Sequence, residues 1–203
     1  MERLKLRTSQ KIYLPFKRLI GILGSLIGIV LCAGLIWWWV LIVNAIVTKG
    51  HPFFIRHRIG KNSKPFKILK FRSMKLEANP HMSSKDIEAQ RNVTGFGKFL
   101  RATSIDETPQ LLNIFIGQMA FIGPRPLIDA SYDSITIEKR KENGADAIKP
   151  GISGYAQIHK RAELDPVRKA EFDLIYMEKM SFWFDVKIFC YTLLKLFGAA
   201  KGK

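Results

Sequence analysis

The chain has 203 residues, 47% hydrophobic and 25% charged, which is enough for one domain with its own core and excludes gross disorder. Lysine and arginine number 33 against 17 aspartate and glutamate, a formal net charge of +16. Such an excess indicates an anionic partner: nucleic acid, anionic lipid headgroups or a phosphorylated substrate. Two cysteines without a CxxC pair, and four histidines without HExxH spacing, argue against a disulfide framework or zinc site. We expect Cys32 and Cys190 to be buried thiols.

One long apolar segment lies near the N-terminus. Residues Leu19 to Val47 carry no charge, and they number about 29, whereas a straight membrane-spanning helix needs about 20. The apolar core of a signal peptide would be about half as long. We therefore expect a retained membrane element at residues 19–47, after a basic cytosolic N-terminus (1–18) and before a cytosolic domain (48–203).

Basic residues flank this segment on both sides. Six lie between Arg3 and Arg18, and nine lie between Lys49 and Lys75. The positive-inside rule places both flanks in the cytosol, which a straight span cannot satisfy. A re-entrant hairpin of two half-helices, bent near Ala33-Gly34, would place both flanks in the cytosol. A tilted simple span is the alternative, because glycines are common in ordinary transmembrane helices.

The remaining chain predicts a mixed, mainly helical domain with a small β element, an α+β fold. Pro52 to Met74 alternates apolar groups with bases, which is typical of a short hairpin. Glu77 to Val93 is polar and predicts a surface loop with a short helix. The C-terminal stretch from Ser181 predicts an amphipathic interfacial helix, with a core helix as the alternative.

Helix and loop signals divide the rest of this domain. Helices are predicted at Gly97–Ala102, from Thr108-Pro109 onward, at Leu127–Asn143 and at about Asp165–Lys179. Glycine and proline predict loops at GPRP (Gly123–Pro126) and KPGISG (Lys149–Gly154).

Two adjacent carboxylates, Asp106 and Glu107, precede a predicted helix, with Arg101 five residues upstream. Free N–H groups and the helix dipole stabilise such acids as anions, and an ionised carboxylate can bind Mg²⁺ or attack an electrophile. The same segment also fits a simple capping box, Ser104 to Glu107, so spacing alone leaves both interpretations open.

GPRP holds Arg125 between two prolines, where a planar guanidinium suits bidentate phosphate binding. A solvated turn is the alternative. Further basic candidates for phosphate binding are Lys70, Arg72, Lys149, Lys160 and Arg161. The sequence contains no P-loop, GxGxxG or GxSxG motif.

Four segments together resemble the bacterial sugar transferase family, the small monotopic phosphoglycosyl transferases. They are FKILKFRSM (Phe66–Met74), GKFLRATSIDETPQLLNIFIGQMAFIGPRPL (Gly97–Leu127), KPGISGYAQI (Lys149–Ile158) and the tail pattern Asp173, Tyr176, Ser181, Asp185. The resemblance implies transfer of a sugar phosphate from a nucleotide diphosphate sugar, usually a UDP-sugar, to polyprenol phosphate (undecaprenyl phosphate in bacteria), with release of UMP. It implies the first membrane step of glycan or exopolysaccharide synthesis, with the catalytic domain on the cytosolic face of the bacterial membrane.

The resemblance also implies roles for individual residues. Asp106 would be the nucleophile, forming a covalent phosphosugar-aspartate, and would bind Mg²⁺ together with Glu107. The substrate-binding residues would be Arg101, Arg125, Lys70, Arg72, Gln157 and Arg161. The chain departs from the family pattern at Gly21, at Ala33-Gly34 and at Lys160-Arg161-Ala162.

Two other functions are compatible with the composition. One is a non-catalytic membrane scaffold that binds anionic lipid or partner proteins. The other is a membrane-tethered nucleic-acid binder, but no recognisable nucleic-acid-binding module occurs in the sequence, so we expect no nucleic-acid partner.

Overall fold

The computed structural model describes residues 3–75, 92–128, 133–159, 164–196 and Gly198. Within these ranges the fold is mostly helical with a small β component, as predicted. The helices are α1 (Thr8–Cys32), α2 (Trp38–Thr48), α3 (Gly95–Ala102), α4 (Gln110–Phe115), α5 (Ser134–Asn143), α6 (Tyr155–Ile158), α7 (Pro166–Lys179) and α8 (Phe182–Leu196). The strands are β1 (Phe53–Ile59), β2 (Pro65–Phe71), β3 (Ala120–Ile122) and β4 (Gly151–Ser153). The loop expected at Glu77 to Val93 lies almost wholly outside the described residues.

Helices α1 and α2 form one continuous apolar helix. A π-helical segment, Ala33–Trp37, joins them, so the chain remains helical at Ala33-Gly34, where the sequence predicts the bend of a hairpin. Among the described residues, Thr8–Thr48 is the one helix long and apolar enough to cross a membrane, by length and composition. Its end at Lys49 has a left-handed backbone, with φ of 51°. We refer to Thr8–Thr48 as the membrane helix.

One face of the membrane helix packs on the domain through small residues. Gly21 faces Ile114, and a Cβ at Gly24 would lie 2.9 Å from the ring of Phe121. Absent side chains let two elements approach closely, so this face can lie directly on α4 and β3. The opposite face exposes apolar residues along its whole length, namely Ile12, Phe16, Leu19, Leu23, Leu26, Val30, Leu35, Trp38, Ile42 and Ile46.

Both ends of the membrane helix are bound to the same domain. Before the helix, the amide of Leu4 donates to the Asn143 carbonyl at 3.1 Å. Within α1, Lys17 forms an ion pair of 2.7 Å with Asp185 on α8. Near the other end, the buried Asn44 donates from its side-chain nitrogen to the carbonyl of Pro52 at 2.8 Å.

The predicted hairpin is confirmed. Strands β1 and β2 pair antiparallel, with Phe53 opposite Phe71 and Ile59 opposite Pro65. The sequence did not predict a second sheet, in which β3 and β4 pair in parallel. Its strands have three residues each, too few to show an alternating pattern.

The second sheet brings the GPRP and KPGISG segments together. A Cβ at Gly123 would lie 2.4 Å from the Lys149 carbonyl oxygen, and one at Gly154 would lie 2.1 Å from the Gly123 carbonyl oxygen. Only glycine fits so close a backbone approach. The two segments predicted as separate loops therefore form one packed unit.

Two details correct the sequence predictions, and a third describes the C-terminal helix. The helix expected at Leu127–Asn143 begins at Ser134, and Leu127 instead forms an isolated antiparallel bridge with Ile59. Cys190 is exposed rather than buried, while Cys32 is half-buried. Helix α8 buries Ile188 in the core yet exposes other apolar residues, namely Phe182, Trp183, Phe189, Tyr191 and Leu194.

Candidate active site

The Asp106-Glu107 pair lies on a 3-10 turn, Ile105–Glu107, between α3 and α4. Ser104, directly before the turn, has a left-handed backbone with φ of 57°, which is uncommon for a residue other than glycine. Its side chain makes no capping hydrogen bond, so the capping-box interpretation of this segment is wrong. The strained residue instead redirects the chain so that the Asp106 side chain enters the protein.

Two side chains hold this region in place. The indole nitrogen of Trp37, in the π-helical segment, donates to the hydroxyl of Thr108 at 2.9 Å. On α4, Asn113 donates to the Lys67 carbonyl at 2.7 Å and accepts from the Leu69 amide at 3.1 Å. The turn that carries Asp106 and Glu107 is thereby fixed between the membrane helix and β2.

Asp106 is buried, with 8% of its surface exposed. Burial raises the pKa of its carboxyl to about 6, and repulsion from Glu107 adds to this effect. The positive charges of Lys70, Arg101 and Arg125 act in the opposite direction. At neutral pH the group is therefore a poorly solvated carboxylate facing three cations, which suits attack on a phosphate centre.

Glu107 has a different environment. Its carboxylate pairs with Lys70 and lies 3.8 Å from the Arg125 guanidinium. Burial alone would raise the pKa of Glu107, but Lys70 and Arg125, with a further contribution from Gln110, lower it to about 2. Glu107 thus remains an anion and holds two of the three cations beside Asp106.

Arg125 is positioned by a buried ion pair that the sequence reasoning missed. Arg140 on α5 donates to the Arg125 carbonyl at 3.0 Å and from its Nε to Asp173 on α7 at 2.9 Å. Both members of the pair are buried. Arg140 lies in a run of charged residues, EKRKEN, where nothing distinguishes it from a solvated base.

The remaining candidates are not all brought to this site. Arg101 donates from its Nε to the Ser73 hydroxyl at 2.9 Å and contributes to the field at Asp106. The Arg72 guanidinium donates instead to the carbonyls of His51 and Phe53, at 2.9 and 3.3 Å. It is not among the charges that shift the pKa of Asp106.

Gln157 and Arg161 come from the KPGISGYAQI segment and the stretch after it. Gln157 lies on α6, where both polar atoms of its amide are buried without a hydrogen-bond partner among the described residues. Unsatisfied buried amides are costly, so Gln157 remains a candidate to bind a ligand. Arg161 lies outside the described residues.

Asp106 and Glu107 could supply one or two carboxylate ligands to Mg²⁺, with the remaining ligands coming from elsewhere. In the part of the chain that the structure describes, no three His, Cys, Asp or Glu side chains form a metal cluster. Mg²⁺ at phosphate-transfer sites is usually bound by one or two carboxylates together with substrate phosphates. Because Glu107 already pairs with Lys70, Asp106 offers the more available oxygens.

The chain is similar to a family model and to several known proteins, and all of them are sugar transferases or sugar-phosphate transferases. The chain matches the model of the bacterial sugar transferase family over residues 12–199. It is 38% identical over 196 residues to the UDP-glucose:undecaprenyl-phosphate glucose-1-phosphate transferase of Klebsiella pneumoniae, covering 92% of this chain and 41% of that protein.

Two further relatives show the same range of similarity. The UDP-N-acetylgalactosamine-undecaprenyl-phosphate N-acetylgalactosaminephosphotransferase of Aeromonas hydrophila is 34% identical, over 93% of this chain and 46% of its own length. The uncharacterized sugar transferase EpsL of Bacillus subtilis (strain 168) is 34% identical, over 89% of this chain and 86% of its own length. The chain thus spans less than half the length of the Klebsiella and Aeromonas relatives and most of the Bacillus one.

Proposed function

The chain belongs to the bacterial sugar transferase family, and we propose that it transfers a sugar phosphate from a UDP-sugar to polyprenol phosphate, releasing UMP. The observation that carries this proposal is the buried Asp106 carboxylate facing Lys70, Arg101 and Arg125, on a turn that is hydrogen-bonded to an apolar helix. The names of the Klebsiella and Aeromonas relatives pair a UDP-sugar with undecaprenyl phosphate, which supports the same classes of donor and acceptor.

In the first half-reaction, a carboxylate oxygen of Asp106 attacks the sugar-bearing phosphorus of the donor. The bond between this phosphorus and the bridging oxygen breaks, and UMP leaves with that oxygen and its electron pair. The product is a phosphosugar-aspartate, a mixed anhydride on Asp106. Burial raises the pKa of Asp106 because it removes part of the hydration of the carboxylate. A less hydrated carboxylate is a better nucleophile.

In the second half-reaction, a phosphate oxygen of polyprenol phosphate attacks the same phosphorus. The bond to Asp106 breaks, which regenerates the carboxylate and leaves a polyprenyl diphosphate sugar. Lys70, Arg101 and Arg125 would neutralise charge on the phosphates in both steps. Asp106, with Glu107 beside it, would hold Mg²⁺, which screens the donor diphosphate when bound.

The membrane helix would act as a re-entrant anchor, with both flanks on the cytosolic face. The contacts Leu4–Asn143 and Asn44–Pro52 attach the chain before the helix and the chain near its end to one domain. A folded domain occupies one side of a bilayer, so these contacts support a helix that enters and leaves on the same side. A headgroup-level anchor would also bring a lipid phosphate within reach of Asp106.

Labelling of single cysteines tests this topology. Lys5→Cys and Lys61→Cys are placed in a background without Cys32 and Cys190, because Cys190 is exposed and would react. We expect neither cysteine to react with an impermeant maleimide from outside intact cells, and both to react after permeabilisation. Labelling of only one of them from outside would contradict the placement of both flanks on the cytosolic face.

UMP release tests the reaction. The detergent-extracted protein is incubated with polyprenol phosphate, Mg²⁺ and a panel of UDP-sugars, beside Asp106→Asn. We expect UMP from at least one donor, with loss of activity when Mg²⁺ is chelated and in the variant. If the folded wild-type protein releases no UMP from any donor, the scaffold function, in which the chain only binds anionic lipid or partners, replaces this proposal.

A further inference from the structure

A second group of basic side chains surrounds the turn at Gly117, directly after α4. Arg18 of α1 donates from its guanidinium to the carbonyls of Ile114 and Phe115 at the end of that helix. A Cβ placed on Gly117 would lie 3.2 Å from the Arg18 guanidinium carbon and 3.4 Å from the Lys149 ammonium nitrogen. The two cationic groups therefore border one small space beside the Gly117 backbone.

The backbone keeps this space free of a side chain. Gly117 has a φ of +89°, a left-handed conformation that favours glycine. The two cations come from distant segments of the chain, because Arg18 lies on α1, where two carbonyls of α4 hold it, and Lys149 lies just before β4. The arrangement therefore requires the packed fold.

Among the residues that the structure describes, this group has no counter-charge. Burial lowers the pKa of Lys149, and the positive charges of Arg18 and Lys61 lower it further. In the described ranges, no carboxylate lies within salt-bridge distance of these three residues. By contrast, three other partly or fully buried cations each pair with a carboxylate: Lys17 with Asp185, Lys70 with Glu107 and Arg140 with Asp173. Mutual repulsion of this kind is relieved by a bound anion.

The position of Arg18 in the chain indicates which anion is available. It is the last charged residue before the uncharged stretch Leu19 to Val47, so a membrane-inserted helix places it where the apolar region meets the headgroups. Exposed apolar side chains lie beside it, at Leu19 and Ile20 in sequence and at Ile116 next to Gly117. Bases beside exposed apolar residues are typical of surfaces that contact anionic lipid.

We propose that Arg18, Lys61 and Lys149 form a binding site for the phosphate of an anionic phospholipid headgroup. This site shares no residue with the cations at Asp106, which are Lys70, Arg101 and Arg125. The proposed lipid site rests on the membrane placement proposed above and not on the transfer reaction. The lipid site and the transfer reaction can therefore fail independently. A headgroup bound there would join α1, the β1–β2 turn and the segment before β4 through one phosphate.

Ligand-dependent thermal stability tests the site in the full chain. The detergent-solubilised protein is titrated with short-chain dihexanoyl phosphatidylglycerol, with dihexanoyl phosphatidylcholine and with inorganic phosphate, and its unfolding temperature is measured. A ligand that binds only the folded state raises this temperature in a saturable manner. We expect phosphatidylglycerol to do so in the wild type, at concentrations where phosphatidylcholine and inorganic phosphate have little effect.

Three substitutions assign the effect to the site. Lys149→Gln is expected to weaken the apparent affinity for phosphatidylglycerol about fivefold, because one base near a lipid surface contributes about 1 kcal/mol. Lys61→Gln, at an exposed residue whose loss should not disturb the core, is expected to weaken it similarly. Lys141→Gln removes the same charge from the exposed face of α5 and is expected to leave the affinity unchanged.

Three outcomes would overturn the proposal. In the first, phosphatidylcholine stabilises the wild type as strongly as phosphatidylglycerol. In the second, inorganic phosphate alone saturates the effect, which identifies a site for a free anion. In the third, Lys141→Gln reduces the affinity as much as Lys149→Gln, which shows that only net charge matters.

Discussion

The indole N–H of Trp37 donates a hydrogen bond of 2.9 Å to the hydroxyl of Thr108, the residue that follows Glu107. This bond joins the π-helical segment of the membrane helix to the turn that carries Asp106 and Glu107. A π-helical segment within an α-helix shifts the angular position of the side chains that follow it, and here the irregular segment ends at the residue that makes this bond. The position of Asp106 is thereby coupled to the conformation of the membrane helix.

Replacing Trp37 by Phe removes the donor but keeps an aromatic ring against Phe71, whose ring centroid lies 6.2 Å away. We expect kcat for UMP release to fall about fivefold, since one hydrogen bond contributes about 1 kcal/mol, with a smaller change in KM for the donor. The matched control is Trp38→Phe, because Trp38 is 59% exposed and should tolerate the change.

A double-mutant cycle separates the bond from the packing of the ring. If the Trp37–Thr108 bond carries the effect, adding Trp37→Phe to Thr108→Val should cost little further activity. Independent, additive losses would show that Trp37 acts through its packing alone.

Replacing Asp106 by Asn should abolish transfer and yet stabilise the metal-free protein. The pKa of Asp106 is about 6 in the folded state, above its ordinary value, so the wild type loses stability as pH rises from about 4 to about 6. Above pH 6 we expect the variant to be more stable by about 1–3 kcal/mol, and below pH 4 to show no such advantage.

Chemical unfolding in EDTA at pH 4 and pH 7.5 measures this difference. Addition of Mg²⁺ at pH 7.5 should raise the stability of the wild type, because a cation bound at Asp106 offsets the buried charge. It should leave the stability of the variant unchanged. A stability difference that is the same at both pH values would contradict the assigned pKa.

Removing Arg140 should affect both stability and donor binding. Arg140→Met removes the cationic partner of the buried Asp173 carboxylate, and the loss of one member of a buried ion pair typically costs about 3–5 kcal/mol. The double variant Arg140→Met/Asp173→Leu should recover much of this stability but not the KM for the donor, because the Arg125 carbonyl has still lost its partner. Lys139→Met is the control, since the neighbouring pair Lys139–Glu142 is exposed and should contribute less than about 0.5 kcal/mol.

Two glycines of the membrane helix allow a matched comparison of packing. A Cβ at Gly24 would lie 2.9 Å from the Phe121 ring, whereas one at Gly34 meets nothing within 4 Å. Gly24→Leu should therefore lower stability in detergent by about 1–3 kcal/mol through overpacking, while Gly34→Leu should not. Equal effects at both positions would mean that this face of the helix does not lie against the domain.

The sequence predicted those features that rest on local patterns or on contiguous motifs. The long uncharged stretch, the alternating β1–β2 hairpin and the helix after Asp165 each carry such a pattern, and the structure has all three. The Asp106-Glu107 pair and Arg125 were singled out by their contiguous motifs and by the family resemblance that these motifs carry, and the structure brings them to one site.

The missed features depend on contacts between distant segments. The β3–β4 sheet joins residues about 30 apart in sequence through backbone alone, and the Arg140–Asp173 pair involves two residues 33 apart. The contacts of Arg72 were likewise not predictable, because this base of the FKILKFRSM motif binds the backbone carbonyls of His51 and Phe53, about 20 residues away in sequence. Side-chain direction across such distances is not encoded in a local pattern.

The glycine face of the membrane helix also has a consequence for biogenesis. Synthesis proceeds from the N-terminus, so Gly21, Gly24 and Gly28 leave the ribosome well before their contacts Ile114, Phe121 and Leu111 have been translated. If the helix inserts as proposed, lipid or a chaperone would cover all of its faces first, and the domain would replace it on the glycine face later. The nascent domain would condense onto an already inserted helix, which makes the bilayer a template for the fold as well as its anchor.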